Sequence, residues 1–167
     1  MLHLASESST STLSKFNGDQ VQPNAIDVRI DSMQRINSTE FVISEDDKQH
    51  RRTSPVAVEK NDGKEWFVLS PGTYEVVMDG LIHLGPDEAG FIITRSTLNR
   101  NGLFLTSGLY DSGYHGVMAG ALHVDNGPAR IARGTRIGQF LIWKAEALSS
   151  YDGSYGVGSE HDKKYES

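Results

Sequence analysis

Asp111 is the residue whose setting most invites chemistry. It lies in GLYDSGYHG, residues 108–116, where three glycines, two tyrosines and a histidine surround one carboxylate. A lone aspartate on a short hairpin can orient a water molecule and take its proton. The plainer reading is an aspartate that caps a turn. Other stretches carry groups suited to the same chemistry. Arg95, in FIITRSTLNRNGLF, offers a forked donor for phosphate oxygens. Ser96 beside it can start a short helix and present its hydroxyl and free N–H groups to a phosphate, or serve only as the helix cap. The tail GSYGVGSEHDKK sets Tyr155, several glycines and two lysines, Lys163 and Lys164, in one run. Such a run can wrap a polyphosphate through backbone N–H groups, and it also fits a plain flexible linker. Alone, Gln139 reads as a strand residue facing solvent, and Asp27, after Gln22-Pro23-Asn24, as a turn cap. Hydrolysis of a phosphoanhydride asks for a positioned water and neutralised phosphate charge. Mg²⁺ serves that end with one or two carboxylates.

These residues need a scaffold, and the chain has the material for one. Its 167 residues are the size of one ordinary domain, 37% hydrophobic and 23% charged. The absence of cysteine removes disulfides, thiolate nucleophiles and cysteine zinc sites. Six histidines are scattered without metal-ligand spacing. A formal charge of -6 argues against nonspecific nucleic-acid binding. No apolar stretch reaches membrane-spanning length and the N-terminus has no signal pattern, so the expectation is a soluble, cytoplasmic protein.

Strand signals dominate. Ile26, Val28 and Ile30 alternate on one face. WFVLS reads as a strand, TYEVVMDGLIHL as two short strands, GVMAGALHV as a packed central strand, and TRIGQFLIWKAEAL as a strand sending Ile137, Phe140, Ile142 and Trp143 to the core. RSTLNR fits one helical turn. Residues 45–65 are dense in charge and read as an exposed loop or hairpin. Residues 1–20 read as a loose arm, with a short helix at Thr10 to Phe16. Many short strands between turns predict an all-β fold of the jelly-roll barrel type. The barrel spans residues 1–148, and a flexible glycine-rich lid spans 149–167.

In order along the chain, VQPNAIDVRI, FIITRSTLNRNGLF, GLYDSGYHG, GTRIGQFLIW and YDGSYGVGS resemble the five motifs of the trimeric dUTPase and dCTP deaminase superfamily. The resemblance runs from about Val21 to the C-terminus. It implies a distorted jelly-roll barrel, a homotrimer, and Mg²⁺ assisted by Asp27, through water. It implies Asp111 as the catalytic aspartate, which holds the attacking water or contacts the sugar 3′-hydroxyl, and Tyr114 against the deoxyribose. Arg95, Ser96, Thr97, Arg100 and Gln139 fall to the phosphates, and Gly108 to the base. Tyr155, Gly158, Ser159, Lys163 and Lys164 fall to the closing tail.

The superfamily holds two chemistries, hydrolysis of dUTP to dUMP and pyrophosphate, and deamination of dCTP. Resemblance to the deaminases places a general acid/base Glu five residues past Gly116, where this chain has Ala121. His123, two residues on, points to the same strand face and is an alternative proton carrier. The missing Glu favours a dUTPase of the deaminase-type subgroup. Deamination, alone or joined to dUTP hydrolysis, and a nucleotide-binding homologue without turnover are the alternatives.

Overall fold

The computed structural model describes residues 1–160 and 162–165, the side chain of Lys164 excepted. It is built of strands β1 (Thr12–Leu13), β2 (Val21–Gln22), β3 (Ala25–Ile36), β4 (Val42–Ile43), β5 (Lys48–Gln49), β6 (Thr53–Pro55), β7 (Val58–Asn61), β8 (Lys64–Leu69) and β9 (Gly72–His83). After these come β10 (Glu88–Thr94), a one-turn helix α1 (Ser96–Asn99), β11 (Leu103–Thr106), β12 (His115–Val124), β13 (Ala129–Ala132) and β14 (Arg136–Lys144). The main sheet runs β10-β14-β3-β9-β12-β11, with β13-β8-β7 as a smaller sheet. The edge strands β10 and β11 meet through Thr94: its hydroxyl donates to the Leu105 carbonyl and accepts from the Leu105 N–H, both at 2.8 Å. These bonds bring the sheet close to a closed barrel, which spares it two open edges. The all-β, jelly-roll-type fold is therefore as expected from the strand pattern.

The pleat decides what is buried. Ile26, Val28 and Ile30 of β3 are at most 1% exposed, and they pack with Tyr74, Met118, Leu122, Ile137 and Phe140. On β14 the same alternation sends Ile142 inward. Trp143 is only half-buried and meets Phe91 edge-on at 5.5 Å, so its expected place in the core is corrected. TYEVVMDGLIHL forms one twelve-residue strand instead of two. Gly80 explains this: at φ 89° it lets β9 bend without ending. The charged 45–65 region does contain an exposed hairpin, in which β7 and β8 join through Asp62 and Gly63, both at positive φ. That is the conformation a two-residue type I′ turn demands.

The N-terminal arm is not loose, and Thr10 to Phe16 is not helical. Leu2 bridges to Ile142, and Thr12–Leu13 pairs with Ile82 and His83. Between these points the arm wraps the buried carboxylate of Glu88. Thr10 N donates to Oε1 at 2.7 Å, and Ser9 Oγ and Ser11 N donate to Oε2 at 2.8 and 3.1 Å. The Ser11 hydroxyl adds a further bond to Oε2. A Ser/Thr-rich stretch is therefore ordered by one buried anion. Burial pushes the Glu88 carboxyl up, but these bonds together outweigh it and hold the group below the usual carboxylate range. Among the described residues no helix is long and apolar enough to cross a membrane.

Candidate functional site

The hairpin carrying Asp111 is pinned at both ends. Tyr110 and Gly90 exchange two backbone hydrogen bonds, at 2.8 and 3.0 Å. On the far side, Leu84 N donates to the Tyr114 carbonyl at 2.8 Å, and Ser112 Oγ donates to the Glu88 carbonyl at 3.0 Å. The backbone turn closes through Tyr114 N and the Asp111 carbonyl at 3.0 Å. The Asp111 side chain takes no part in this. It is exposed, and its carboxylate has no hydrogen-bond or ion-pair partner among the described residues. The turn-capping reading of Asp111 thus lacks the bond it requires.

Beside the hairpin lies a cavity of about 540 Å³, lined by Gly108, Tyr110, Tyr114, Tyr151 and Tyr155, with Glu75 in its wall. Asp111 flanks this cavity but does not line it. Tyr114 is 5% exposed, and its hydroxyl donates to the Val117 carbonyl at 2.8 Å. It lies between Tyr110, at 5.4 Å, and Tyr151, at 5.3 Å. It is therefore a core aromatic and a cavity wall at once. Burial raises the Tyr110 and Tyr114 hydroxyls above the usual phenol range, and for Tyr114 the nearby Asp162 carboxylate adds to this. Both remain hydrogen-bond donors at neutral pH.

The tail folds back onto the same chain. Tyr151 N donates to the Ser112 carbonyl at 2.8 Å, and Val157 N to the His115 carbonyl at 2.9 Å. The contact requires two glycines. A Cβ on Gly116 would stand 2.7 Å from the Gly156 Cα, and Gly156 itself sits at φ 116°. Gly156 N donates to Asp162 Oδ2 at 2.7 Å, which turns the chain into a 3-10 turn at Asp162–Tyr165. Tyr155 lines the cavity, with Lys48 Nζ 5.6 Å from its ring centre.

A second group of residues gathers around Asp27. This aspartate, on β3 beside β14 in the main sheet, is fully buried. Gln139, its register partner on β14, donates through Nε2 to Oδ1 at 3.2 Å. Arg95 Nε and Arg136 Nη1 each lie 3.5 Å from Oδ2. Both arginines also line a cavity of about 420 Å³ with Arg29, Lys64 and Arg133. Such a concentration of cations on a partly buried floor suits a polyanion. Gln139 therefore faces Asp27, and not solvent alone.

The remaining expectations fall outside these two groups. Ser96, Thr97 and Arg100 are exposed on or beside α1 and line neither cavity. Gly158 and Ser159 belong to the turn before Asp162 and also line neither. Lys163 is exposed and paired with Glu160. The side chain of Lys164 lies outside the described residues. His123 faces Thr73 and Thr106, not the cavity. As for Mg²⁺, the charge of Asp27 is already met by two guanidinium groups, and no cluster of three His, Asp or Glu suits a metal among the described residues. Asp27 offers no set of direct protein ligands, and its Oδ2, with no hydrogen-bond partner among the described residues, is the atom that would face an ion held through water, as the resemblance implies. Sequence reasoning did not single out Arg136 or Glu75. Arg136 stood inside GTRIGQ, and its register opposite Arg29 is what unites the pair.

Known proteins similar to this chain carry two kinds of name. A curated relative from Halobacterium salinarum, a probable deoxyuridine 5'-triphosphate nucleotidohydrolase, is 33% identical over 140 residues, 82% of this chain and 83% of its own. A dCTP deaminase, dUMP-forming, from Mycobacterium ulcerans is 37% identical over 155 residues, 87% of this chain and 79% of its own. The crystal structure of 2'-deoxycytidine 5'-triphosphate deaminase from Agrobacterium tumefaciens shares the fold with a TM-score of 0.60 at 19% identity, over 83% of this chain and 44% of that one. The model of the dCTP deaminase-like family matches residues 2–145, and the chain belongs to that family.

Proposed function

We propose that the protein hydrolyses dUTP to dUMP and pyrophosphate. The observation that carries this reading is the exposed, uncommitted carboxylate of Asp111 on a hairpin pinned beside an aromatic cavity. Asp111 takes a proton from water as its oxygen bonds to phosphorus. The bond to the bridging oxygen breaks, and pyrophosphate leaves against arginines such as Arg95 and Arg136. The aromatic walls hold the base and sugar. The names of the relatives support a deoxyuridine nucleotide as substrate and dUMP as product.

The test is single-turnover release of pyrophosphate from dUTP, dCTP, dTTP and UTP, with and without Mg²⁺, and with ammonia followed in the same samples. Asp111→Asn keeps the shape and loses the base. Its turnover of dUTP is expected to fall by about 10² to 10⁴, with the melting temperature unchanged because the side chain caps nothing. A folded Asp111→Asn protein within a few-fold of the parent rate would end the reading.

A further inference from the structure

Two buried serines that the catalytic scheme above leaves unused stand on either side of one turn. Residues 85–88, Gly-Pro-Asp-Glu, form that turn. Glu88 N closes it by donating to the Gly85 carbonyl at 3.2 Å, and Pro86 sits second, where its fixed φ is favoured. The N-terminal arm holds the turn from one side. The Ser11 hydroxyl accepts from Gly85 N at 2.9 Å and donates to the Glu88 carboxylate. From the other side the turn holds the hairpin. The Glu88 carbonyl accepts from Ser112 Oγ at 3.0 Å, and the Gly85 carbonyl from Gly113 N at 3.3 Å. Ser11, Glu88 and Ser112 are all at most 4% exposed, so water does not replace a bond lost here.

Ser112 follows Asp111 directly in the chain. The Asp111 carboxylate has no bond of its own among the described residues, so its aim is set by its backbone alone. A general base has to meet its water within hydrogen-bond reach. A misplacement of about 1 Å can cost about 10²-fold in rate. Resting on the dUTP reading above, we propose that Ser112 and Ser11 are positioning residues for Asp111. Ser11 fixes the turn, the turn fixes Ser112, and Ser112 fixes the direction in which the Asp111 side chain leaves the hairpin. The N-terminal arm thereby belongs to the reaction, although neither serine lines a cavity beside the nucleotide.

Hydrolysis of dUTP by the full chain tests this, with kcat and KM read separately and melting curves beside them. Ser112→Ala is expected to lose roughly ten- to hundredfold in kcat, with KM nearly unchanged. Ser11→Ala, one step further from Asp111, loses less, again in kcat. Leu69→Ala is the control, since Leu69 is fully buried in the smaller sheet: it melts lower and keeps the parental kcat while folded. Each serine variant is also combined with Asp111→Asn. Once the base is gone its aim no longer matters, so the double variants are expected to match Asp111→Asn alone. If Ser112→Ala does not fold, the Ser11→Ala pair decides. Parental kcat in the folded serine variants, a loss confined to KM, or a further loss on the Asp111→Asn background marks a structural role. Any of these overturns the proposal and leaves the dUTP reading standing. A parent inert toward dUTP overturns both.

Discussion

Asp27 shows how burial decides what a carboxylate can do. It has no exposed surface, and its charge is balanced by Arg95 and Arg136, whose side chains are 30% and 32% exposed. Removing one partner of a buried ion pair leaves the others uncompensated. Here the arginines can turn to water, so the loss is smaller than for a fully enclosed pair. Asp27→Asn preserves the Gln139 bond and removes the charge. It is expected to destabilise the fold by about 1–3 kcal/mol, read as a lower melting temperature, and to leave any Mg²⁺ dependence of turnover as in the parent. A variant of parental stability that has lost its Mg²⁺ response would assign Asp27 the role of metal partner. Asp111, Tyr114 and Gly108 were nameable as candidates because one nine-residue run carries them and resembles a family motif, and the structure sets Tyr114 and Gly108 in one cavity wall beside the Asp111 hairpin. Arg95, Asp27 and Gln139 were legible as candidates through the resemblance, but not as a buried cluster. Glu75 was not legible at all, since its place depends on the register between β9 and β12, some forty residues apart.

Among the elements, the N-terminal arm departs furthest from its sequence signal. Ser and Thr content reads as a flexible segment, and only the buried Glu88 carboxylate, far along the chain, supplies the acceptor that orders it. A carboxyl held below its ordinary value binds its proton more weakly in the folded chain than in the unfolded one. The stability it contributes is therefore complete above the unfolded value, about 4.3 for glutamate, and fades as pH falls through the lower folded value. Melting curves between pH 7 and pH 2.5 are expected to show an acid limb that Glu88→Gln flattens. Glu88→Gln also melts lower at pH 7, because its amide turns donors toward the Ser and Thr donors of the arm. An acid limb of parental steepness in Glu88→Gln would assign the loss to other carboxylates. The strand interiors were readable because burial follows a period of two. The bend at Gly80 and the tail contact at Gly116 were not, because each depends on which backbone lies opposite.

At the scale of the whole molecule, the groups suited to one reaction are divided. Among the described residues, none lines both the aromatic cavity beside Asp111 and the cationic cavity containing Arg95 and Arg136. A nucleotide needs its base and its phosphates held together, so two copies of the chain that bring one cavity of each into contact would complete a site. We propose a homotrimer, in which each interface joins the aromatic side of one subunit to the cationic side of the next; rotation about a threefold axis repeats that contact and closes the ring. Gly120, in the apolar strand GVMAGALHV that could pack close to an axis, does not by itself argue for one, since a Cβ there would meet the Thr106 carbonyl oxygen of the same chain at 2.5 Å. The functional division does. Two variants disabled on opposite sides, Asp111→Asn and Arg95→Gln, are each expected to be nearly inactive. Mixed after gentle dissociation and reassociated, they form hybrid rings in which some interfaces pair an intact Asp111 with an intact Arg95, and dUTP hydrolysis returns. Light scattering on the parent is expected to give a mass of three chains. A monomeric mass, or mixed variants that form hybrids without regaining activity, would place the whole reaction within a single chain.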